Sequence, residues 1–259
     1  MRHYYNNTIK LIIAAILLSW FVPSTAHGQD LVIAEYSTHY AWRGPDFRDR
    51  AHNIALAASK IDGIVVAPGE TFSYNDTVGA RTSKRGFREA HVIISGDLVD
   101  GMGGGVCQVS STLHAATLLA GLVMIEERPH SRASVYIGPS LDATVAYGSF
   151  DFKFMNSLNF PIKIQASANK GQMVVKILGR EDPYDVAIDF DIHKKRSYKT
   201  RWYVNHDMKP GTKKRREPGT YGYDLDRVRT IRNRRGVIVT REVVKYHYEP
   251  SDRIWDVGR

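Results

Sequence analysis

Two segments of the chain carry apolar residues at the three- and four-residue spacing of an amphipathic helix. The first begins at about Asp46 and ends at Gly63, and the second begins near residues 107–110 and ends at Gly121. A glycine directly after such a face is a common helix stop. The pattern therefore predicts two helices, with apolar faces made of Ile54, Ala57, Ala58 and Ile61 in the first and Val109, Leu113, Ala116, Leu119 and Ala120 in the second.

Outside these helices the pattern changes to short apolar or alternating runs, which are typical of strands. Residues 31–40 alternate weakly, Pro68-Gly69-Glu70 predicts a turn that leads into a polar loop region through Gly86, and Asn169-Lys-Gly171 predicts a hairpin. This order predicts one α+β domain of helices and antiparallel sheet over residues 31–181. Its further predicted strands are 64–67, 91–94, 134–137, 149–154, 162–168 and 173–178.

A second, β-rich unit is predicted over residues 186–259, after the boundary marked by Asp182-Pro183. Apolar and polar positions alternate from Val186, the clearest late strand runs from Val237 to Tyr248, and Lys209 to Arg216 predicts an exposed loop. Residues 191–259 contain 19 Lys+Arg and 9 Asp+Glu, a net charge of +10, whereas residues 1–190 have a net charge of −1. The basic tail suits an anionic wall polymer or lipid head, or is a solvated face without a partner.

The N-terminus has the layout of a secretory signal peptide, residues 1–28. Arg2 and Lys10 precede the apolar run from Leu11 to Val22, and small residues follow it. Twelve helical residues rise only about 18 Å, against a hydrocarbon core of roughly 30 Å, which disfavours a membrane anchor. The sequence therefore predicts export to the periplasm, the cell wall or the outside, with cleavage after Ala26 or Gly28 and membrane contact only through an uncleaved signal.

Cys107 is the only cysteine in the chain, and it follows three glycines at the start of the second helix. An exported protein with one cysteine has either a partner chain or a free reactive thiol. Helix N-termini favour the thiolate, and backbone amides there can bind an oxyanion. The pattern thus favours a nucleophile, with Gly104, Gly105 and Gln108 forming the oxyanion loop; the alternative is a small buried apolar residue.

Several sequence blocks occur in order between about Ile33 and Gly179. They are Pro68-Gly-Glu-Thr-Phe-Ser73, Val78-Gly79, Gly104-Gly-Val-Cys-Gln-Val-Ser-Ser-Thr-Leu113, Pro129-His-Ser-Arg132, Asp142-Ala-Thr-Val145, Asp151-Phe-Lys-Phe and Asn156. Together these blocks resemble the VanW family. Some members act as L,D-transpeptidases that cross-link peptidoglycan through a cysteine, so the resemblance implies that chemistry here. The chain departs from the family at His114-Ala115, where Tyr-Asn is usual, and at Gly138-Pro-Ser140, where Pro-Pro-Gly is more typical.

The resemblance implies that His130, in the Pro129-His-Ser-Arg132 block, is the general base. His114 is seven residues beyond Cys107, which is about 10.5 Å of helical rise and too far for contact. His91 is the second choice. A third group must orient the imidazole. Asp142 and Asp151 are the candidates and Asp142 is the one selected, although either could cap a turn instead.

The remaining candidate residues are assigned to substrate binding. Arg132 could bind a substrate carboxylate, although a structural salt bridge explains it equally well. Ser110 and Ser131 are candidates beside the thiol and the histidine, and Ser110 could instead be an early-helix hydrogen-bonding group. The spacing of Cys107, His114 and His130 does not suit zinc, so no metal and no cofactor are expected.

Together these features predict an exported cell-envelope enzyme that acts on peptidoglycan. The expected reaction is L,D-transpeptidation through a Cys107 thioester, or L,D-carboxypeptidation if water is the acceptor. The expected partners are stem peptides and glycan strands, not nucleic acid. The alternative is a non-catalytic peptidoglycan-binding or scaffolding module with a link to glycopeptide resistance. The tail resembles, less completely, the wall-associated domain named for its five glycines.

Overall fold

The computed structural model describes residues 31–94 and 97–259. The predicted signal peptide, residues 1–28, lies outside the described residues. Mainly antiparallel sheets and a few helices make up the described chain, which agrees with the α+β prediction at that level. None of the described helices is long and apolar enough to cross a membrane.

The helices are concentrated in the first half of the chain, and strands dominate the second. The elements in chain order are β1 Leu31–His39, α1 Pro45–Ile61, β2 Val65–Val66, β3 Thr71–Ser73, α2 Tyr74–Val78, β4 Glu89–Ile94, β5 Asp97–Met102, α3 Val106–Leu119, β6 Val123–Glu126, β7 Lys153–Met155, β8 Ile162–Asn169, β9 Gln172–Gly179, β10 Tyr184–Arg196, β11 Thr200–Asn205, β12 Lys213–Thr220, β13 Gly222–Asn233, β14 Ile238–Tyr248 and β15 Ser251–Gly258. A short 3-10 helix, Ser83–Arg85, lies between α2 and β4.

An antiparallel sheet with the strand order β1-β9-β8-β2 supports the first half of the chain. β8 and β9 form the predicted hairpin, in which Lys170 and Gly171 have φ values of 47° and 86°. Two successive left-handed residues are what a tight hairpin turn needs to match the twist of its strands. The apolar side chains of β8 and β9 join the main hydrophobic core.

Helices α1 and α3 pack against this sheet and against each other. α3 is buried on nearly every side, whereas the sequence predicted a single apolar face. Ser110, Thr112 and His114 of α3 are all fully buried. Buried polar groups need hydrogen-bond partners, and the Thr112 hydroxyl lies 2.8 Å from the Thr38 hydroxyl of β1. The polar residues of α3 therefore link the helix to its surroundings.

The region 71–86 is more regular than the polar loop that the sequence predicted. It contains β3, α2 and the 3-10 helix, and Ser73 caps α2 by accepting a hydrogen bond from the Asp76 amide at 3.1 Å. A five-residue helix is too short to show an apolar period, which explains why the pattern missed it. β3 belongs to a sheet of order β3-β7-β6, and β4 pairs with β5; β5 and β6 were not predicted either.

Three predicted strands are shorter or absent. β2 contains only Val65 and Val66, and the strand predicted over 149–154 begins at Lys153. Residues 134–137, predicted as a strand, form an irregular bend. The side chain of Tyr136 in this bend lies against α3, where its hydroxyl is 3.3 Å from the Ser111 hydroxyl. Tertiary contact with α3 replaces strand pairing here.

The chain beyond β9 forms two sheets, of orders β10-β13-β14 and β11-β15-β12. The prediction of an exposed loop at Lys209–Arg216 is wrong in part, because residues 213–216 belong to β12, which pairs with β15. These residues are exposed. A strand with no buried face has no alternating pattern, so charge was the only signal the sequence offered.

Side chains of β13 and β14 contact the first half of the chain. Arg227 and Arg229 are each 1% exposed. Arg227 donates to the Glu127 carboxylate at 2.8 Å, the Tyr246 hydroxyl donates to the same carboxylate at 2.9 Å, and Arg229 donates to the Leu122 carbonyl at 2.9 Å. The division at residues 182–186 stays a prediction, and these buried contacts cross it.

Candidate active site

The turn before α3 brings its backbone against α1. Gly103 and Gly105 have φ values of 84° and 104°, which favour glycine. A Cβ atom on Gly105 would lie 2.8 Å from Ile54 Cγ1 and 3.1 Å from the Arg50 carbonyl oxygen. The Asn53 side-chain amide donates to the Gly104 carbonyl at 3.0 Å. The glycines are therefore needed to start α3 at this point of the core.

Cys107 lies in the first turn of α3 and is partly exposed. Its thiol lies 3.5 Å from the Val145 carbonyl oxygen and interacts with the imidazole of His130. Burial alone would raise the pKa of the thiol, but His130 and the Arg81 guanidinium outweigh it, so the pKa of Cys107 is lowered. The site therefore favours the thiolate, which is the nucleophilic form.

His130 is bound on its other side by Asp142. Its Nδ1 atom lies 2.6 Å from Asp142 Oδ2, and the same carboxylate oxygen accepts from the His130 backbone amide at 2.7 Å. This leaves Nε2 to face Cys107. Burial opposes the charged imidazolium, yet the Asp142 hydrogen bond and the thiolate raise the pKa of His130 well above its ordinary value. The structure thus brings together Cys107, His130 and Asp142, the three residues that the sequence analysis selected as catalytic candidates.

Asp142 is nearly inaccessible and has one further donor. It is 1% exposed, and the Tyr248 hydroxyl of β14 donates to its Oδ1 atom at 2.6 Å. Burial would raise the pKa of Asp142, but the hydrogen bonds from His130 and Tyr248 lower it. Tyr248 lies more than a hundred residues from Asp142 in the chain, so nothing in the local pattern indicated it.

Two arginines that the sequence analysis did not select carry positive charge near the thiol. Arg50 of α1 donates to the Gln108 side-chain oxygen at 2.7 Å, and Arg81 donates to the Gly79 carbonyl at 2.9 Å and lies over the Tyr74 ring. Burial lowers the pKa of both arginines, and both interact electrostatically with Cys107. Arg81 follows the Val78-Gly79 block, which was the available signal.

Tyr136 is a further side chain near the thiol that the sequence analysis missed. Burial raises the pKa of its phenol, and this effect together with the Cys107 charge outweighs the opposite effect of the neighbouring His130. Tyr136 therefore stays neutral over the ordinary pH range and keeps a proton to donate beside the thiol. The predicted strand over 134–137 obscured this residue, because a strand would have given its side chain a different direction.

The other predicted site residues have their described contacts elsewhere. Ser110 is buried and donates to the Ala143 carbonyl at 2.7 Å, so it holds the Asp142 segment instead of contacting a ligand. The Gln108 amide donates to the Gly105 carbonyl at 3.0 Å, and its side chain bridges to Arg50. Gln108 thus supports the start of α3 and Ser110 the segment after Asp142, and these contacts give no support to the oxyanion role predicted for Gln108 or the substrate-binding role predicted for Ser110.

Ser131 and Arg132 face the tail in their described contacts. The Ser131 carbonyl accepts from the Glu249 amide at 2.8 Å, and Arg132 donates to the Ser251 hydroxyl at 3.2 Å. The carboxylate-binding role predicted for Arg132 thus gains no support from these contacts, and the alternative of a structural role fits them better.

The remaining alternatives are resolved by their partners. Asp151 accepts from the Ser73 hydroxyl and the Asn75 amide at 2.6 and 2.8 Å, so it caps α2 and does not orient His130. His114 lies 2.6 Å from the Glu127 carboxylate, far along α3 from the thiol. The side chain of His91, the second choice for the base, lies outside what the structure describes. Within the described residues, no group of three or more potential ligands is arranged for a metal ion.

Comparison with known proteins matches residues 49–178, about half of the chain, to the family described as VanW like protein. The chain is 42% identical over 152 residues to the Uncharacterized protein YoaR of Bacillus subtilis, covering 59% of this chain and 49% of that protein. It is 25% identical over 142 residues to the Vancomycin B-type resistance protein VanW of Enterococcus faecalis, covering 52% and 51%. The chain therefore spans about half the length of these curated relatives.

Two solved structures match 29% of the chain. The IgA1 Protease G5 domain structure is 23% identical, with 92% of its chain covered and a TM-score of 0.19. The crystal structure of HP0197-G5 is 12% identical, with 97% of its chain covered and a TM-score of 0.17. Both structures are described as G5 domains.

Proposed function

Since the chain belongs to the VanW family, we propose that it is a cysteine-dependent acyl transferase of the cell wall, an L,D-transpeptidase that joins peptidoglycan stem peptides. The observation that carries the proposal is the hydrogen-bonded series from Cys107 through His130 to Asp142. A nucleophile, a base and a group that orients the base are the three parts of this kind of catalysis.

Acylation begins when the Cys107 thiolate attacks the carbonyl carbon of the third residue of a donor stem. A C–S bond forms, and the amide C–N bond then breaks as the tetrahedral intermediate collapses. The leaving amine, which belongs to a terminal D-amino acid, takes its proton from His130 Nε2. The product is an acyl-thioester on Cys107.

Deacylation reverses the proton path. A side-chain amine of a neighbouring stem attacks the thioester and gives its proton to His130, the new C–N bond forms, and the C–S bond breaks to restore the thiolate. With water as the acceptor, the same steps release the acid, which would be L,D-carboxypeptidase activity. The bonds and protons balance without an oxidant, a reductant or a cofactor.

The charge that develops on the substrate oxygen is stabilised by the start of α3 and by the nearby cations. The Cys107 amide lies at the positive end of the helix dipole. Arg81 and Arg50 add positive charge near the thiol. Because Arg81 also contributes to the lowered pKa of Cys107, we assign it the larger part in binding the oxyanion or the donor carboxylate.

The proposed site of action is the cell envelope. The predicted signal peptide supports export, and the basic residues of the tail suit anionic wall polymers. Lys213 and Lys214 are exposed on β12 and are available to such a polymer. Peptidoglycan stem peptides are the proposed substrates, with glycan strands as further contacts.

The test is incubation of the purified protein with defined muropeptides, followed by mass spectrometry. The wild-type protein is expected to give a thioester adduct on Cys107 or cross-linked dimers. Cys107→Ser and His130→Gln are expected to give neither, because each removes one part of acyl transfer, with losses of roughly a thousandfold or more.

His52→Gln is the matched control for the histidine variant. His52 is a half-buried residue of α1 whose ring lies 2.8 Å from the Gly86 carbonyl oxygen and takes no part in the Cys107–His130–Asp142 series, so its replacement should leave turnover at the wild-type level. Wild-type protein that binds sacculi but forms no adduct and no dimers would support the alternative, a non-catalytic peptidoglycan-binding module.

A further inference from the structure

The loop that carries Asp142 is held from the tail. Ser140, two residues before Asp142, has a φ of 67°, which is unusual for a residue other than glycine. Such a conformation persists only where the surrounding structure enforces it. Here the Ser140 amide donates to the Tyr248 hydroxyl oxygen at 2.6 Å, and the Ser140 carbonyl accepts from Arg227 at 2.9 Å. Both partners come from the sheet β10-β13-β14, which we call the tail sheet.

The same tyrosine hydroxyl also reaches the Asp142 carboxylate. It donates to Oδ1 at 2.6 Å, while His130 occupies Oδ2 with both its backbone amide and its ring. The two carboxylate oxygens therefore bind different residues: Oδ1 binds Tyr248 of the tail, and Oδ2 binds His130 of the site. A hydrogen bond to an ionised group is among the stronger ones in proteins. Tyr248 thus fixes both the backbone before Asp142 and the carboxylate itself.

Tyr248 is itself well held. It is fully buried, and its ring stacks on that of Tyr246 at 6.3 Å. Burial and the neighbouring Asp142 charge raise the pKa of Tyr248 far above its ordinary value, so the hydroxyl keeps the proton that it donates. The family match ends at residue 178, so this contact comes from outside the matched segment.

We infer that Tyr248 is a positioning residue of the site, and that the tail sheet completes the Cys107–His130–Asp142 series by holding Asp142 in place. The inference rests on the proposed function in taking Cys107 as the reacting group. It assigns the tail a second role besides wall binding, because the site is incomplete without β14. The segment beyond residue 181 is then part of the catalytic apparatus.

The test measures the pH dependence of Cys107 alkylation by iodoacetamide. Cys107 is the only cysteine in the chain, so the label reports this thiol alone and needs no peptidoglycan. Tyr248→Phe keeps the ring and removes the hydroxyl. The expected result is that the alkylation midpoint moves upward by about one pH unit, because a less firmly held Asp142 stabilises the imidazolium–thiolate pair less well.

Tyr246→Phe is the matched control. It removes a buried hydroxyl from the same strand, whose hydrogen bond goes to Glu127 and not to Asp142. It is expected to lower stability by a similar amount but to leave the alkylation midpoint unchanged. Equal midpoints for Tyr248→Phe, Tyr246→Phe and the wild type would overturn the inference, since a purely structural tyrosine would behave in that way.

If Tyr248→Phe alone does not fold, the same comparison is made in the Ser140→Gly variant. Ser140→Gly relieves the left-handed turn, so Ser140→Gly/Tyr248→Phe is compared with Ser140→Gly/Tyr246→Phe, with the same upward shift expected only in the former. On muropeptides, Tyr248→Phe is expected to lower kcat about tenfold with KM nearly unchanged. If the wild-type protein does not turn over muropeptides, the proposed function is rejected. An upward shift of the alkylation midpoint in Tyr248→Phe would still support the positioning role.

Discussion

At the residue scale, the site depends on the Asp142 carboxylate, which binds both His130 and Tyr248. Asp142 accepts three hydrogen bonds, two from His130 and one from Tyr248. The sequence indicated Cys107 and His130 through their motif blocks, and it selected Asp142 for the third group with Asp151 as the other candidate. The choice between them required their partners, because the residue type alone does not say whether an aspartate caps a turn or orients a histidine.

Ser140 gives a prediction at this scale. Ser140→Gly should raise the free energy of unfolding by about 1 kcal/mol, because glycine adopts a positive φ without strain. The Ser140 hydroxyl is also buried and has no hydrogen-bond partner among the described residues, so its removal adds to the gain. Urea unfolding measures the change.

The control for this change is Lys170→Gly. Lys170 also has a positive φ, 47°, but it lies exposed in the β8–β9 turn and has no buried hydroxyl to lose. A smaller gain is expected there. A loss of stability in Ser140→Gly would show that the serine side chain makes a contact that outweighs the backbone strain.

At the element scale, the start of α3 determines where the thiol lies. The sequence predicted a helix that begins near residues 107–110, after the glycine run, and ends at Gly121. The observed helix begins at Val106, close to that position. The burial of α3 on nearly every side could not be predicted, since polar residues such as Thr112 and His114 are expected to face solvent in an amphipathic pattern. Their partners lie on β1 and beside β6, which only the packing brings close.

Gly105→Ala tests the requirement at this start. The new Cβ would meet Ile54 Cγ1 at 2.8 Å in a backbone of φ 104°. Strain and overpacking together should cost about 2 to 4 kcal/mol of unfolding free energy, and the displaced helix start should slow alkylation of Cys107 at neutral pH.

Gly236→Ala separates the cost of backbone strain from the cost of overpacking. Gly236 has a φ of 77° but no atom within 4 Å of the added Cβ, so it should lose only about 1 kcal/mol and leave alkylation unchanged. Equal losses in the two variants would mean that the turn before α3 has room to adjust and that close packing does not set its position.

At the scale of the whole molecule, Glu127 joins the two halves of the chain. Its carboxylate receives Arg227 and Tyr246 from the tail and lies 2.6 Å from His114 of α3. Burial would raise the pKa of Glu127, but His114 and Arg227 lower it to about 2. Because the folded-state pKa is below the ordinary value of 4.5, its stabilisation is complete above pH 4.5 and is lost as the pH falls toward 2.

Glu127→Gln should therefore lower the free energy of unfolding by about 3 kcal/mol at pH 7, since it leaves a buried arginine without its ionic partner. The difference from the wild type should shrink as the pH falls below 4.5 toward 2, the range in which Glu127 takes up its proton. Denaturant unfolding at pH 7 and at pH 3 measures both.

Glu126→Gln is the control on the adjacent residue. Glu126 pairs with Lys153 at 2.9 Å, and its side chain is 41% exposed, so the change should cost no more than about 1 kcal/mol. If Glu127→Gln cost as little, the junction between the two halves would contribute little to stability.

The sequence by itself determined the elements and the chemistry that local order can encode. Glycine stops, apolar spacing and the hairpin at Asn169–Gly171 follow from short-range sterics, and the Cys107 and His130 blocks are contiguous motifs. Only the tertiary structure showed that Asp142 and not Asp151 contacts His130, that Arg50 and Arg81 place positive charge near Cys107, and that the Tyr248 hydroxyl binds the Asp142 carboxylate. These contacts join residues up to 106 positions apart, and long-range packing, not local pattern, selects such partners.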